Sequence, residues 1–148
     1  MRGISAVGRF GLLDPLIQRA IELASPEGRR RIAVAVAVAA LEEQAEHPTV
    51  LDEALIVVRG GVVDSVMRTE ILEIADALDR RYLDLFDDEQ PGGRSDGWEK
   101  AFQLARAAAA VCFAVDEDPT IAAIEASYEA RHALDDGFDL TRVVEGAA

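Results

Sequence analysis

Glutamate and histidine at helical spacing are the residues of this sequence best suited to metal chemistry. Glu129 and His132 form a Glu-x-x-His pattern, and Glu125 lies one helical turn earlier on the same side. Helical bundles hold di-iron centres with inward-pointing carboxylates and histidines, using two such patterns and two further glutamates. This chain has one pattern. Glu125, Glu129 and His132 therefore give a secondary metal-binding alternative, and a histidine at the edge of the core is the simpler interpretation.

Other catalytic patterns are missing from the sequence. There is no Cys-x-x-Cys, no His-Glu-x-x-His and no Ser–His–Asp signature, and neither glycine pair has the strand–turn–helix context of a phosphate loop. Cys112 is the single cysteine, which excludes an internal disulfide, and its surroundings AAAAVCFAV are typical of a small buried side chain. The sequence predicts no enzyme activity and no cofactor.

Acidic residues and one tryptophan are the candidates for binding a partner. The acidic groups fall in predicted turns and helix ends, including a helix C-terminus where the dipole disfavours negative charge. The tryptophan follows the longest loop and is a common interface anchor. The alternatives are a solvated acidic surface and a tryptophan that covers the core. The candidate residues are Asp87, Asp88, Glu89, Trp98, Asp116, Glu117, Asp135 and Asp136.

Net charge limits the class of partner. The 148 residues include 28 acidic and 15 basic side chains, for a formal net charge of −13. Nucleic acids and anionic membranes require clustered positive charge, so both are excluded as expected partners. A basic protein partner suits the charge. No apolar run approaches the about 20 residues of a membrane span, and no secretory signal is present, so we expect a cytoplasmic bacterial protein.

The stretch RIAVAVAVAA sets the fold class. Both alternating residue types are apolar, so the pattern is not that of a half-buried strand. Ser25, Pro26 and Glu27 upstream are a helix start, and ALEEQAEH downstream is rich in helix formers. The stretch is therefore the middle of a helix over about 26–46, apolar on all sides and central in a bundle.

The whole chain is predicted to be one all-α domain, a bundle of about six helices. The helices cover about 14–24, 26–46, 49–59, 62–86, 96–115 and 119–135, and the two alanine-rich ones, 26–46 and 96–115, are central. Residues 1–12 are expected to be a flexible N-terminus, 87–97 an acidic glycine-rich loop, and 138–148 a tail that docks or adds a turn. Thr49 and Asp52 have the spacing of a capping box. A shared Pro-Thr pair at 48–49 and 119–120 indicates either an old duplication or two helical hairpins with the same capping.

These observations predict a non-enzymatic helical interaction protein that binds a protein partner through an acidic surface, as a monomer or homodimer. One alternative is an immunity-type protein that neutralises a basic toxin. The other is the small metal-binding bundle at Glu125, Glu129 and His132.

Overall fold

Helices make up the regular structure of the part of the chain that is described. A computed structural model describes residues 8–88 and 96–148. Within these ranges there is no strand, and a 3-10 helix precedes seven α-helices. They are η1 (Gly8–Leu12), α1 (Pro15–Leu23), α2 (Pro26–Glu42), α3 (Thr49–Gly60), α4 (Ser65–Asp88), α5 (Asp96–Ala114), α6 (Pro119–Ala133) and α7 (Leu140–Ala147). The predicted all-α bundle is confirmed, and α7 stands where the sequence predicts a docking tail.

Proline marks the start of several helices, as the sequence predicts. Asp14, Ser25 and Asp118 are the N-cap residues of α1, α2 and α6, and each side chain accepts a hydrogen bond from a backbone N–H in the first turn. A proline follows each cap at the first helical position, where a missing N–H costs nothing. Local sequence alone therefore fixes where these three helices begin.

The start of α3 differs from the predicted capping box. Pro48 is its N-cap residue and no side chain caps the helix. The Oδ2 atom of Asp52 instead lies 2.9 Å from the Nε2 atom of His47. Thr49 is the first residue inside the helix, so its hydroxyl is not placed as an N-cap acceptor would be. Pro119 is likewise the first residue inside α6, so the two Pro-Thr pairs occupy different helical positions and do not share one capping geometry.

The alanine–valine stretch forms the middle of α2, buried among four other helices. Ile32, Val36 and Ala37 are fully buried, and α2 contacts α3, α5, α6 and α7. Alanine side chains are a single methyl group, so the neighbouring backbones can approach closely at interior packing density. The second predicted central helix, α5, buries Ala108 and Val111 in the same way.

A third helix, α6, is as central as these two, which the sequence did not indicate. It packs against both α2 and α5, and Ala123, Ala126 and Ala130 are fully buried. Its sequence has the pattern of an amphipathic helix, with Ile121, Ile124 and Tyr128 on an apolar stripe and glutamates among the remaining positions. The structure instead buries Glu129 beside charged partners, so α6 has neighbours on the side that its sequence marks as polar.

α4 and α7 lie at the edge of the bundle. α4 begins at Ser65 rather than near residue 62 because the Asp64 side chain accepts a hydrogen bond from the Met67 N–H at 2.8 Å. It packs mainly against α5. Among its described side chains only Ile71 and Ala75 are buried, both in the first half of the helix.

The predicted tail packs onto the bundle as α7. Asp139 caps α7, whose Leu140 and Val144 are buried against α1 and α2. Among the residues described, no helix combines the length and apolarity that crossing a bilayer requires.

Three consecutive arginines connect α2 to other helix ends. The C-termini of α1, α5 and α7 gather beside the first turns of α2. Carbonyl groups at a helix C-terminus lack intrahelical donors, and the dipole there favours a cation. The donors and their carbonyl acceptors are Arg29 to Ile21 and Glu22, Arg30 to Ala114 and Glu117, and Arg31 to Ala147. The triplet is the signal in the sequence for this arrangement, and sequence analysis did not single it out.

Candidate functional site

Four aromatic side chains pack together where α4 ends and α5 begins, a cluster here called the aromatic end. Tyr82 and Phe86 are one turn apart on α4, and Trp98 and Phe102 are one turn apart on α5. The ring centroids of Tyr82 and Phe102 are 5.0 Å apart, and those of Phe86 and Trp98 are 5.1 Å apart with planes at 88°. Edge-to-face pairs at these distances are favourable beyond the area that they bury.

The aromatic end is outside the hydrophobic core and reaches solvent. None of its four rings belongs to the main cluster of buried apolar side chains. Phe86 is 49% exposed and the neighbouring Leu83 is 50% exposed. Trp98 is half-buried within the aromatic end. It therefore packs outside the main core, whereas one interpretation of the sequence was that it covers the core. Exposed apolar side chains grouped at one place are typical of an interaction surface.

Acidic side chains lie around the aromatic end, together with the exposed Arg81 and Lys100. The C-terminus of α2 lies near the aromatic end, as shown by one surface depression that Glu43 and Glu46 line together with Gly97 and Lys100 of α5. The C-terminus of α6 is close to α5, since Asp135 accepts a hydrogen bond from Gln103 at 3.0 Å. The exposed acidic residues from three helix ends are Glu43, Glu46, Asp84, Asp87, Asp135 and Asp136. The sequence-predicted Glu89 and the side chain of Asp88 lie outside the described residues.

Asp116 and Glu117 lie at the opposite end of the bundle. Asp116 accepts a hydrogen bond from the Asp118 N–H at 2.8 Å in the turn between α5 and α6. The main-chain carbonyl of Glu117 accepts one from Arg30. The predicted candidates therefore do not form one surface: Asp87, Trp98, Asp135 and Asp136 share an end, and these two shape a turn at the other.

A buried charge network joins four elements around Glu129, which is 3% exposed. Its Oε1 accepts a hydrogen bond from Arg106 of α5 at 2.8 Å, and its Oε2 accepts one from Arg9 of η1 at 3.1 Å. Arg106 also donates to Asp79 of α4. Burial opposes the charge on Arg106, but Glu129 and Asp79 outweigh it and raise the pKa of the guanidinium. Residues far apart in sequence form this network, so no local pattern reveals it.

The metal-binding alternative receives no support from this geometry. Glu125 lies 3.5 Å from Arg9, so both carboxylates of the pattern face guanidinium groups. His132 is exposed and packs on Tyr128 with ring centroids 4.7 Å apart, while Arg9 lies over the same ring at 4.5 Å. Within residues 8–88 and 96–148, no three His, Cys, Asp or Glu side chains are grouped so that they could hold one metal ion.

No family model matches the chain, and no curated protein or solved structure is significantly similar to it. Function must therefore be inferred from the sites themselves, since a helical bundle by itself implies none.

Glu125 differs from Glu129 in how well it is paired. Burial raises the pKa of the Glu125 carboxyl, with a further contribution from the charge of Glu129 and an opposing one from Arg9. Its Oε2 is buried and has no hydrogen-bond partner among the described residues. The fold therefore favours the protonated form of this side chain more than the unfolded chain does.

Cys112 is a structural residue. Burial raises the pKa of its thiol to about 12, with help from the charges of Asp76 and Asp79. Its Sγ is 3.5 Å from the carbonyl oxygen of Ile71. Because the thiolate is the nucleophilic form, such a thiol is a poor nucleophile at neutral pH.

Proposed function

We propose that this protein is a non-enzymatic interaction protein that binds a basic protein partner through the aromatic end and the acidic residues around it. The observation that carries the proposal is the group of packed aromatic rings outside the core, with Phe86 about half exposed at 49%.

The rings suit protein binding because they are already ordered. Tyr82 contacts the rings of Phe86, Trp98 and Phe102, so little side-chain freedom remains to be lost on association. Tryptophan and tyrosine are enriched among the residues that dominate binding energy, particularly where they are surrounded by a polar rim. The exposed Leu83 extends the apolar contact area along α4.

Charge supports a basic partner. Acidic side chains from the ends of α2, α4 and α6 lie at this end, and the chain as a whole has a net charge of −13. Such a field attracts a basic protein and accelerates its association, and like charges disfavour acidic partners. The apolar rings then supply short-range contact after the encounter.

The test is capture from native lysate by the immobilised protein, comparing two charge reversals. The pair Asp84→Lys and Asp87→Lys changes the rim of the aromatic end, and the control pair Glu22→Lys and Glu145→Lys makes the same charge change at the other end. We expect one basic protein to be retained by the wild type and the control but lost by the rim variant. Phe86→Ala should weaken retention by about tenfold, as for one contact of about 1.4 kcal/mol.

Salt gives a second readout of the same complex. Raising the ionic strength from about 0.1 M to about 1 M shortens the Debye length from about 10 Å to about 3 Å, so the association rate should fall steeply. Helical circular dichroism of every variant confirms the fold. Retention that is equal for the rim variant, Phe86→Ala and the control contradicts this assignment of the surface.

A further inference from the structure

A groove with three arginines lies far from the aromatic end, between the first turns of α2 and the last turn of α3. Its volume is about 550 Å³. Arg30 and Arg31 reach it from α2, and Arg59 reaches it from α3. Ala35 contributes apolar surface, with a small part from Val34, which is 4% exposed. Glu27 also lines the groove, so the local side-chain charge is three positive against one negative.

Arg30, Arg31 and Arg59 make no ion pair with the described residues, although carboxylates outnumber basic groups in the sequence by 28 to 15. The ion pairs among the described residues involve Arg9, His47 and Arg106 as the cations. Most other arginines among the described residues also lack an ion pair, and what distinguishes these three is that they line one groove. Burial lowers the pKa of the Arg30 guanidinium, and the carboxylates of Asp116 and Asp118 oppose that shift, so the positive charge open to a ligand is mainly that of Arg31 and Arg59. That positive charge would attract a bound anion.

The first two arginines are held in place by main-chain contacts. Arg30 donates through Nη1 and Nη2 to carbonyl groups at the end of α5 and in the turn after it. Arg31 donates through Nε to Ala147, which leaves its two Nη groups without a hydrogen bond to the described residues. Helix capping therefore accounts for the position of both side chains but uses only part of the donors of Arg31.

Arg59 has no such structural role. Its side chain makes no hydrogen bond and no ion pair with the residues described. Arg59 lies in the last turn of α3, where a positive charge interacts favourably with the helix dipole. That interaction does not require Arg59 to line a groove. Guanidinium groups with open N–H donors bind carboxylate and phosphate oxygens, often in pairs of parallel hydrogen bonds.

We propose that this groove binds a small organic anion, in which a phosphate or carboxylate group is joined to an apolar body. The anionic group contacts the guanidinium groups of Arg31 and Arg59, and the apolar body lies against Val34 and Ala35. A small ligand needs only the local positive charge, whereas a long polyanion would also meet the repulsion of a chain with net charge −13. This inference is independent of the protein partner proposed above.

The test is an NMR titration with three probes that share one ring: phenyl phosphate, phenylacetate and the neutral benzyl alcohol. We expect saturable binding of at least one anion, with shifts at the Arg59 Nε–H and the Val34 methyl groups, and no saturable binding of benzyl alcohol. Titration to about 10 mM nearly saturates a site with a Kd of about 1 mM. The two anions distinguish a phosphate site from a carboxylate site.

Arg59→Gln is the decisive variant because its side chain holds no other helix in place. It should weaken binding of the anion by about tenfold, the loss expected for one charged hydrogen-bonding group. Arg80→Gln, an equal charge change on an exposed arginine of α4, should leave binding unchanged. Failure of both anions to bind by about 10 mM, where even a Kd of about 1 mM would show, overturns the inference. An equal loss in the two variants also overturns it, since that result indicates non-specific attraction.

Discussion

At the scale of single residues, the buried Glu129 and the partly buried Glu125 of α6 differ in how well their charge is paired. Glu129 accepts hydrogen bonds from two guanidinium groups, at 2.8 Å and 3.1 Å. Glu125 has one oxygen buried without a partner, and its pKa is raised by burial. Removing one partner from a buried pair is costly because the other charge stays behind, whereas neutralising a poorly paired carboxylate is not.

Glu129→Gln should therefore lower the free energy of unfolding by about 2–3 kcal/mol, somewhat below the range for a fully buried pair because Arg106 reaches solvent. Glu125→Gln should change it by less than about 0.5 kcal/mol at neutral pH, since the amide resembles the protonated carboxyl that the fold favours. Urea denaturation of both variants beside the wild type measures the two values. Equal losses in the free energy of unfolding would show that the charge network at Glu129 stabilises the fold no more than Glu125 does.

The pH dependence provides the control for Glu125. Its folded pKa is raised, so its protonation stabilises the fold, fully below the unfolded value of 4.5. That contribution is lost as the pH rises through the folded pKa. The stability of the wild type minus that of Glu125→Gln should thus fall with rising pH across this window. A difference that is constant, or that grows, would mean that the carboxyl is better paired than its buried oxygen suggests.

At the scale of elements, α6 shows how alanine allows three helices to share the centre. Ala126 is fully buried and lies on the opposite side of α6 from the apolar stripe of Ile124 and Tyr128. An amphipathic helix on the surface would leave that side open. A central helix contacts neighbouring helices on both sides through small side chains such as alanine. A larger side chain at such a position would overlap with the neighbouring helix.

Ala126→Leu should accordingly lower the free energy of unfolding by about 1–3 kcal/mol through overpacking. Ala77→Leu adds the same atoms on the exposed side of α4, and leucine has a helix propensity close to that of alanine. This control should change the free energy of unfolding by less than about 0.5 kcal/mol. Thermal or urea unfolding followed by circular dichroism compares the two. If the variants are equally stable, α6 is not enclosed on this side.

At the scale of the whole molecule, the two proposed sites lie at opposite ends of the bundle. Acidic side chains from three helix ends lie near the aromatic end, and the arginines that bind helix C-termini and line the groove lie at the other end, which also carries Asp116 and Glu117. The excess of negative charge opposes compactness, because most of these side chains are exposed and repel one another. The two proposed binding sites are thus distant and differ in the sign of the ligand that they favour.

Added sodium chloride should raise the thermal unfolding midpoint of the wild type, because raising it to about 0.3 M screens repulsion between exposed charges. The rise should be smaller for the variant with Asp84→Lys and Asp87→Lys, whose net charge is less negative by four. Scanning calorimetry over a salt series measures both. A midpoint that falls with salt would indicate that attractive surface pairs outweigh the repulsion.

The sequence by itself determined the class of fold and most helix starts. Cap residues such as Ser25 and Asp118, followed by proline, act within one turn of the chain, so their effect can be predicted without knowledge of the rest. The apolar stretch within α2 also required a central position. The exceptions, such as Pro48 in place of Thr49 as the cap of α3 and the end of α2 at Glu42 rather than near residue 46, concern one to four residues at a helix end.

Only the tertiary structure decided which polar residues meet. Arg9 and Glu129 are distant in sequence, as are Arg59 and Arg31, and the contacts between helices bring each pair to one place. The same holds for the aromatic end, where Phe86 of α4 meets Trp98 of α5. The charge and aromatic character of a side chain can be read from a sequence, but the direction in which that side chain points in the folded bundle cannot. The relative rotation and spacing of packed helices set that direction, and they depend on the whole core at once.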